Sequence, residues 1–180
     1  LASGPALINL LWIIPSGRLI QRSKNFAHPM AVGALVTEGL QPNPRHPETP
    51  PFLVWEWLVI EAIIRSFIGD SEENIWGLPG RLVVRRAITQ YNYVDHRSYL
   101  KTPTVFGFHG VYKRVAVYLG IVDTHMRICE AKGLELIDVW SQSQGLGKFD
   151  HSHDLYRLWR KTVESSLDKT PVRTSASLKT

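Results

Sequence analysis

The sequence predicts a mainly α-helical fold, and three observations carry that prediction. Apolar residues recur at steps of three and four in several separate segments. Proline and glycine, 11 and 13 of 180 residues, mark the stops between those segments. The stretches without helical period leave room for at most a small β-hairpin. At 44% hydrophobic the chain can bury a real core.

The first apolar run, residues 6–14 (ALINLLWII), ends at a Pro-Ser-Gly turn. It is too short to span a bilayer and has neither the basic leader nor the cleavage site of a signal peptide. Residues 17–24 and 29–40 read as short helices, the second ending near Gly39. The chain starts at Leu1, and further sequence upstream is expected. Five prolines then fall within residues 41–51 (QPNPRHPETPP), which favours extended backbone in a linker or an exposed crossing loop. The expected organisation is a helical segment over 1–45 that closes an upstream unit, a helical domain over 52–167, and a disordered tail over 168–180.

Residues 52–68 (FLVWEWLVIEAIIRSFI) are apolar on nearly every face, as a central helix must be. Glu56, Glu61 and Arg65 interrupt the run, which argues against a membrane span, and Glu61 and Arg65 are spaced to pair. A helix over 77–91, starting near Pro79, places Leu82, Val83, Ala87 and Tyr91 inward and Arg81, Arg85 and Arg86 outward. Residues 92–103 read as a loop.

In residues 102–123 (TPTVFGFHGVYKRVAVYLGIVD), Phe108, Val111, Val115 and Leu119 form the expected core stripe. His109, Lys113 and Arg114 are expected on the outward face. Gly120 followed by Ile121 predicts a left-handed C-terminal cap. A brief strand over 127–130 leads to a helix over 134–140, with Leu134, Ile137 and Trp140 or Ser141 on one stripe. The last helix, about 152–167, has Leu155, Leu158, Trp159, Val163 and Leu167 inward, Ser152 as cap and Asp154 at the positive end of the dipole.

The formal net charge of +5 is unevenly spread. Residues 76–127 hold Arg81, Arg85, Arg86, Arg97, Lys101, Lys113, Arg114 and Arg127 against only Asp95 and Asp123, so the excess sits in this one segment. The single cysteine, Cys129, precludes an internal disulfide and a thiolate cluster, and fits a reducing cytoplasm. It is expected as a small buried residue.

The order of a basic helix, a loop, a short helix closed by LGIVD, a short strand and AKGLELIDVW resembles the winged-helix branch of the helix-turn-helix superfamily, over roughly residues 78–142. Three residues between Asp123 and Arg127 leave the wing vestigial or absent, and Ala131 stands where that pattern has threonine. The resemblance implies a helix in the major groove with basic side chains on phosphates. The expected site residues are then Arg81, Arg85, Arg86, Arg97, Lys101, His109, Lys113 and Arg114, and the expected partner is nucleic acid, DNA in the first instance.

The alternative is a protein-docking or structural module of a larger assembly, with no nucleic acid involved. A third reading is a metal-dependent enzyme using His151 and His153 of HSHD, or acid–base chemistry at Asp95, His96 and His109. The spacing and the Lys-Ser or Lys-Thr of a phosphate loop are absent. The sequence assigns no catalytic residue, metal ligand, cofactor or membrane partner.

Overall fold

A computed structural model of the chain describes residues 26–66, 78–95 and 97–169. The runs over 6–14 and 17–24, the tail beyond 169 and His96 lie outside the described residues. The described chain is mainly helical: α1 (Ala27–Val36), α2 (Pro51–Ser66), α3 (Arg81–Tyr91), α4 (Pro103–Phe106), α5 (Phe108–Tyr118), α6 (Lys132–Ser143) and α7 (Asp154–Lys169). Among the described residues the β-structure is a single antiparallel bridge, Val122 with Ile128, at the place of the expected brief strand.

α2 is the hub, with α1, α3, α5 and α7 packed around it. Its apolar residues point in all directions, and every side from Leu53 to Ile64 is buried, Glu56 and Glu61 included. The expected Glu61–Arg65 pair forms at 2.7 Å. Arg65 also donates to the carbonyl oxygen and the side chain of Asn92, tying the end of α2 to the end of α3. Asn92 adopts φ 60°, the left-handed cap that asparagine tolerates.

α1 lies in the same buried cluster as the helices after it, against α2, α6 and α7. The proline-rich segment is therefore a crossing loop over one core, and the boundary expected there does not separate α1 from that core. Gly33 is the point of closest approach, since a Cβ there would stand 2.3 Å from Trp55 Nε1. That nitrogen donates to the Pro29 carbonyl at 3.1 Å. Trp55, Trp140, Phe149 and Trp159 then form a chain of aromatic contacts with ring centroids 5.3–6.3 Å apart. On α7 the expected inward residues Trp159, Val163 and Leu167 are buried, joined by Tyr156.

Four expectations are corrected. α3 starts at Arg81, because Gly80 takes φ 76° ahead of it. The buried side of α3 is Val84, Ala87 and Ile88, so Leu82 is 61% exposed while Arg81 and Arg85 are half-buried. On α5 the inward residues are Phe108, His109 and Ala116, whereas Val111, Val115 and Leu119 are exposed. His153, not Ser152, caps α7: its Nδ1 accepts from Leu155 N at 3.1 Å, and Ser152 instead donates to Asp150. The Gly120 cap forms as the sequence implies. Gly120 takes φ 70°, Ile121 N donates to Ala116 O and Gly120 N to Val117 O, and Ile121 is buried.

Candidate functional site

The orientation of α5 is set by one carboxylate. Glu56 projects from the middle of α2 with no exposed side-chain surface, and all its acceptor capacity is filled by α5 and the loop before α4. Its Oε1 accepts from the Tyr99 hydroxyl and from Phe108 N at 3.0 Å. Its Oε2 accepts from His109 N at 2.9 Å and faces His109 Nδ1 at 2.7 Å. An ionised carboxylate only accepts, so Nδ1 is assigned the proton.

Phe108 and His109 are the first residues of α5, where amide N–H groups lack intrahelical partners and the helix dipole favours negative charge. Burial pushes the Glu56 carboxyl up, but the hydrogen bond and charge of His109 and the hydroxyl of Tyr99 outweigh it and hold the group below its ordinary value. Burial and the adjacent carboxylate raise the Tyr99 phenol far above its usual range.

Glycines make the cradle possible. A Cβ on Gly107 would stand 2.3 Å from Glu56 Oε1, and one on Gly110 would meet the backbone of Thr104 and Pro103 within 2.8 Å. α4 therefore lies directly on the first turn of α5. Phe52 tilts over the His109 ring at 5.2 Å. His109 Nε2 is buried with no hydrogen-bond partner among the described residues.

This geometry withdraws His109, 3% exposed, from the outward set in which the sequence placed it. The other expected cations divide. Arg86, Arg97, Lys101 and Arg114 are exposed, while Arg81, Arg85 and Lys113 are half-buried. Lys113 and Arg114 come from α5, Arg81, Arg85 and Arg86 from α3, and Arg97 and Lys101 from the connection between those helices.

What the sequence did not anticipate is the outward side of α4 and α5. Val111, Val115 and Tyr118 are 47%, 44% and 88% exposed, with Leu119 just past them. Val105 and Phe106 of α4 are also exposed, Phe106 at 64%. Arg114 falls between Val111 and Tyr118 on the same side, at the three- and four-residue spacing of one helix face.

No metal-holding group of three or more His, Cys, Asp or Glu occurs among the described residues. His151 Nε2 lies 3.6 Å from Glu38, whereas both ring nitrogens of His153 are engaged, Nε2 with the Leu146 carbonyl and Nδ1 with Leu155 N. Asp95 turns its carboxylate to Arg97 N and Ser98 within its own loop. Cys129 is a free, half-buried thiol. A surface cleft of about 470 Å³ runs between the proline-rich loop and the end of α7, near Asn43, Glu164 and Leu167, and contains none of the expected site residues. No helix among the described residues is long and apolar enough to cross a membrane.

No protein family, curated protein or solved structure matches the chain.

Proposed function

We propose that this chain is a non-catalytic docking module, and that the outward side of α4 and α5 is the surface that receives a protein partner. The single observation behind this reading is the row Val111, Val115, Tyr118 and Leu119, exposed on a helix whose other side is fixed by the buried Glu56. Isolated apolar side chains on a surface need no explanation, but a contiguous apolar strip is the usual mark of an interaction site.

A photocrosslinking amino acid at position 115, compared with one at exposed Gln90 on α3, tests it in cells. A protein adduct specific to position 115 and lost with Val111→Asp is the expected result. Equal labelling from both positions, or adducts that nuclease removes, would contradict it.

Nucleic-acid contact is the second reading, favoured by the exposure of Arg86, Lys101 and Arg114, none of which enters an ion pair among the described residues. The resemblance to winged-helix domains would make α5 the major-groove helix, and DNA the ligand. That reading has to accommodate an outward face that is largely apolar. Under it, affinity for duplex DNA falls steeply with salt, by a log–log slope of about 0.9 for each phosphate neutralised.

A further inference from the structure

We infer that the partner received by the α4–α5 face is an amphipathic α-helix flanked by acidic side chains. The inference rests on the docking reading above and adds the partner's secondary structure and charge.

The form of the surface selects a helix. Val111 and Val115 on α5 and Leu119 at its C-terminal cap are successive four-residue steps, and such a row stands up as a ridge about 12 Å long at 1.5 Å rise per residue. Ridges of this kind interdigitate with the matching rows of a second helix, the commonest helix–helix packing in globular proteins. A partner strand has nothing to extend, because the β-structure among the described residues is one bridge between Val122 and Ile128. The backbone of α4 is held against Gly110, and its Val105 and Phe106 are exposed as well.

The charge of the surface selects the flanks. Residues 96–122 contain no Asp or Glu, whereas Lys101, Lys113 and Arg114 all fall within them. Lys101 is exposed just before α4, and Arg114 is exposed within the apolar row itself. Glu56, which α2 places beneath this segment, is fully buried and spent on four donors, so it does not offset the cations at the surface. A helix bringing carboxylates to Lys101 and Arg114 gains charge complementarity at the rim, where it acts chiefly on orientation and association rate, while the apolar ridge supplies most of the affinity. A basic or neutral helix of the same apolar pattern lacks that complement.

Three synthetic helical peptides of about five turns, sharing one leucine ridge and flanked by Glu, Gln or Lys, test this against the full chain by fluorescence anisotropy. A duplex oligonucleotide and an acidic peptide with its leucines replaced by serine serve as further arms. The Glu-flanked peptide is expected to bind at least about tenfold tighter than the Gln-flanked one near 0.1 M salt, and the Lys-flanked one weakest. Arg114→Glu should reverse that order, and Val111→Ser with Val115→Ser should abolish binding of all three. Unchanged thermal unfolding of these surface variants shows that the fold is retained.

If all three peptides bind equally and lose binding with the serine pair, docking stands and the acidic preference is overturned. If none binds, or the serine pair changes nothing, the docking reading falls together with it. If the serine-substituted acidic peptide binds as well as its parent, the site reads charge alone and the helix inference is overturned. It is overturned too if the duplex binds tighter than every peptide and ignores the serine pair, which would make nucleic acid the ligand.

Discussion

The tryptophan-lined half of the molecule, where α1, α6 and α7 close over α2, is held by shape, whereas the α4–α5 half is held by one charge. In the first half Trp55, Trp140 and Trp159 interlock through ring contacts, and Gly33 clears space for the Trp55 ring. In the second half α5 puts only Phe108 and Ala116 fully into the apolar core, and its register depends on three hydrogen bonds to Glu56, beside a fourth from the Tyr99 hydroxyl. Shape complementarity spreads its stabilisation over many contacts of about 0.1–0.2 kcal/mol each. A buried carboxylate concentrates it, and that lets the rest of α5 remain apolar on the outside.

The largest expected effect lies in the tryptophan half. Trp159→Ala removes a ring that is 1% exposed and touches Trp55, Trp140 and Phe149. It should cost about 3–5 kcal/mol in urea unfolding, with no change in the pH dependence of stability.

Glu56→Gln should cost somewhat less, about 3 kcal/mol, because the amide nitrogen faces donors it cannot accept from and leaves them unsatisfied. Its signature is in pH. The folded-state pKa of Glu56 lies below the unfolded one, so its contribution is fully present above about pH 4.5, the ordinary carboxyl value, and is lost as pH falls through the folded value. The wild-type chain should therefore lose stability on acidification more steeply than the Gln variant, and parallel acid curves would remove Glu56 from its place at the centre of that half.

The two halves are not equally legible in the sequence. α2 and α7 are readable because their apolar residues are numerous or confined to one side, and the Gly120 cap because a left-handed turn has few sequence solutions. The phase of α5 is not readable from periodicity, because the helix carries two apolar rows, each with a four-residue step and three residues apart: Phe108, Tyr112 and Ala116 face in, and Val111, Val115 and Leu119 face out. Either row satisfies a helical pattern.

The signal that separates them is Glu56, an acid within FLVWEWLVI, which needs donors if that helix is central. His109, two residues past Gly107, can supply them, but only the fold brings residues 56 and 109 together. The phase of α3 is lost for a related reason. Leu82, Val83 and Val84 lie side by side, so the spacing to Ala87 admits more than one inward stripe, and the structure selects Val84, Ala87 and Ile88. The candidate surface is thus hidden inside a stretch whose helix and stop are both legible.

Thiol labelling tests the orientation of α5 most directly, in a Cys129→Ser background that carries either Val115→Cys or its neighbour Ala116→Cys. Val115 is 44% exposed and Ala116 fully buried. A maleimide should modify the native protein rapidly at position 115 and at least about a hundredfold more slowly at 116, where reaction must await an opening of the structure. Fast labelling at 116 with protection at 115 would turn α5 over, return the Val111–Leu119 row to the core, and remove the docking surface.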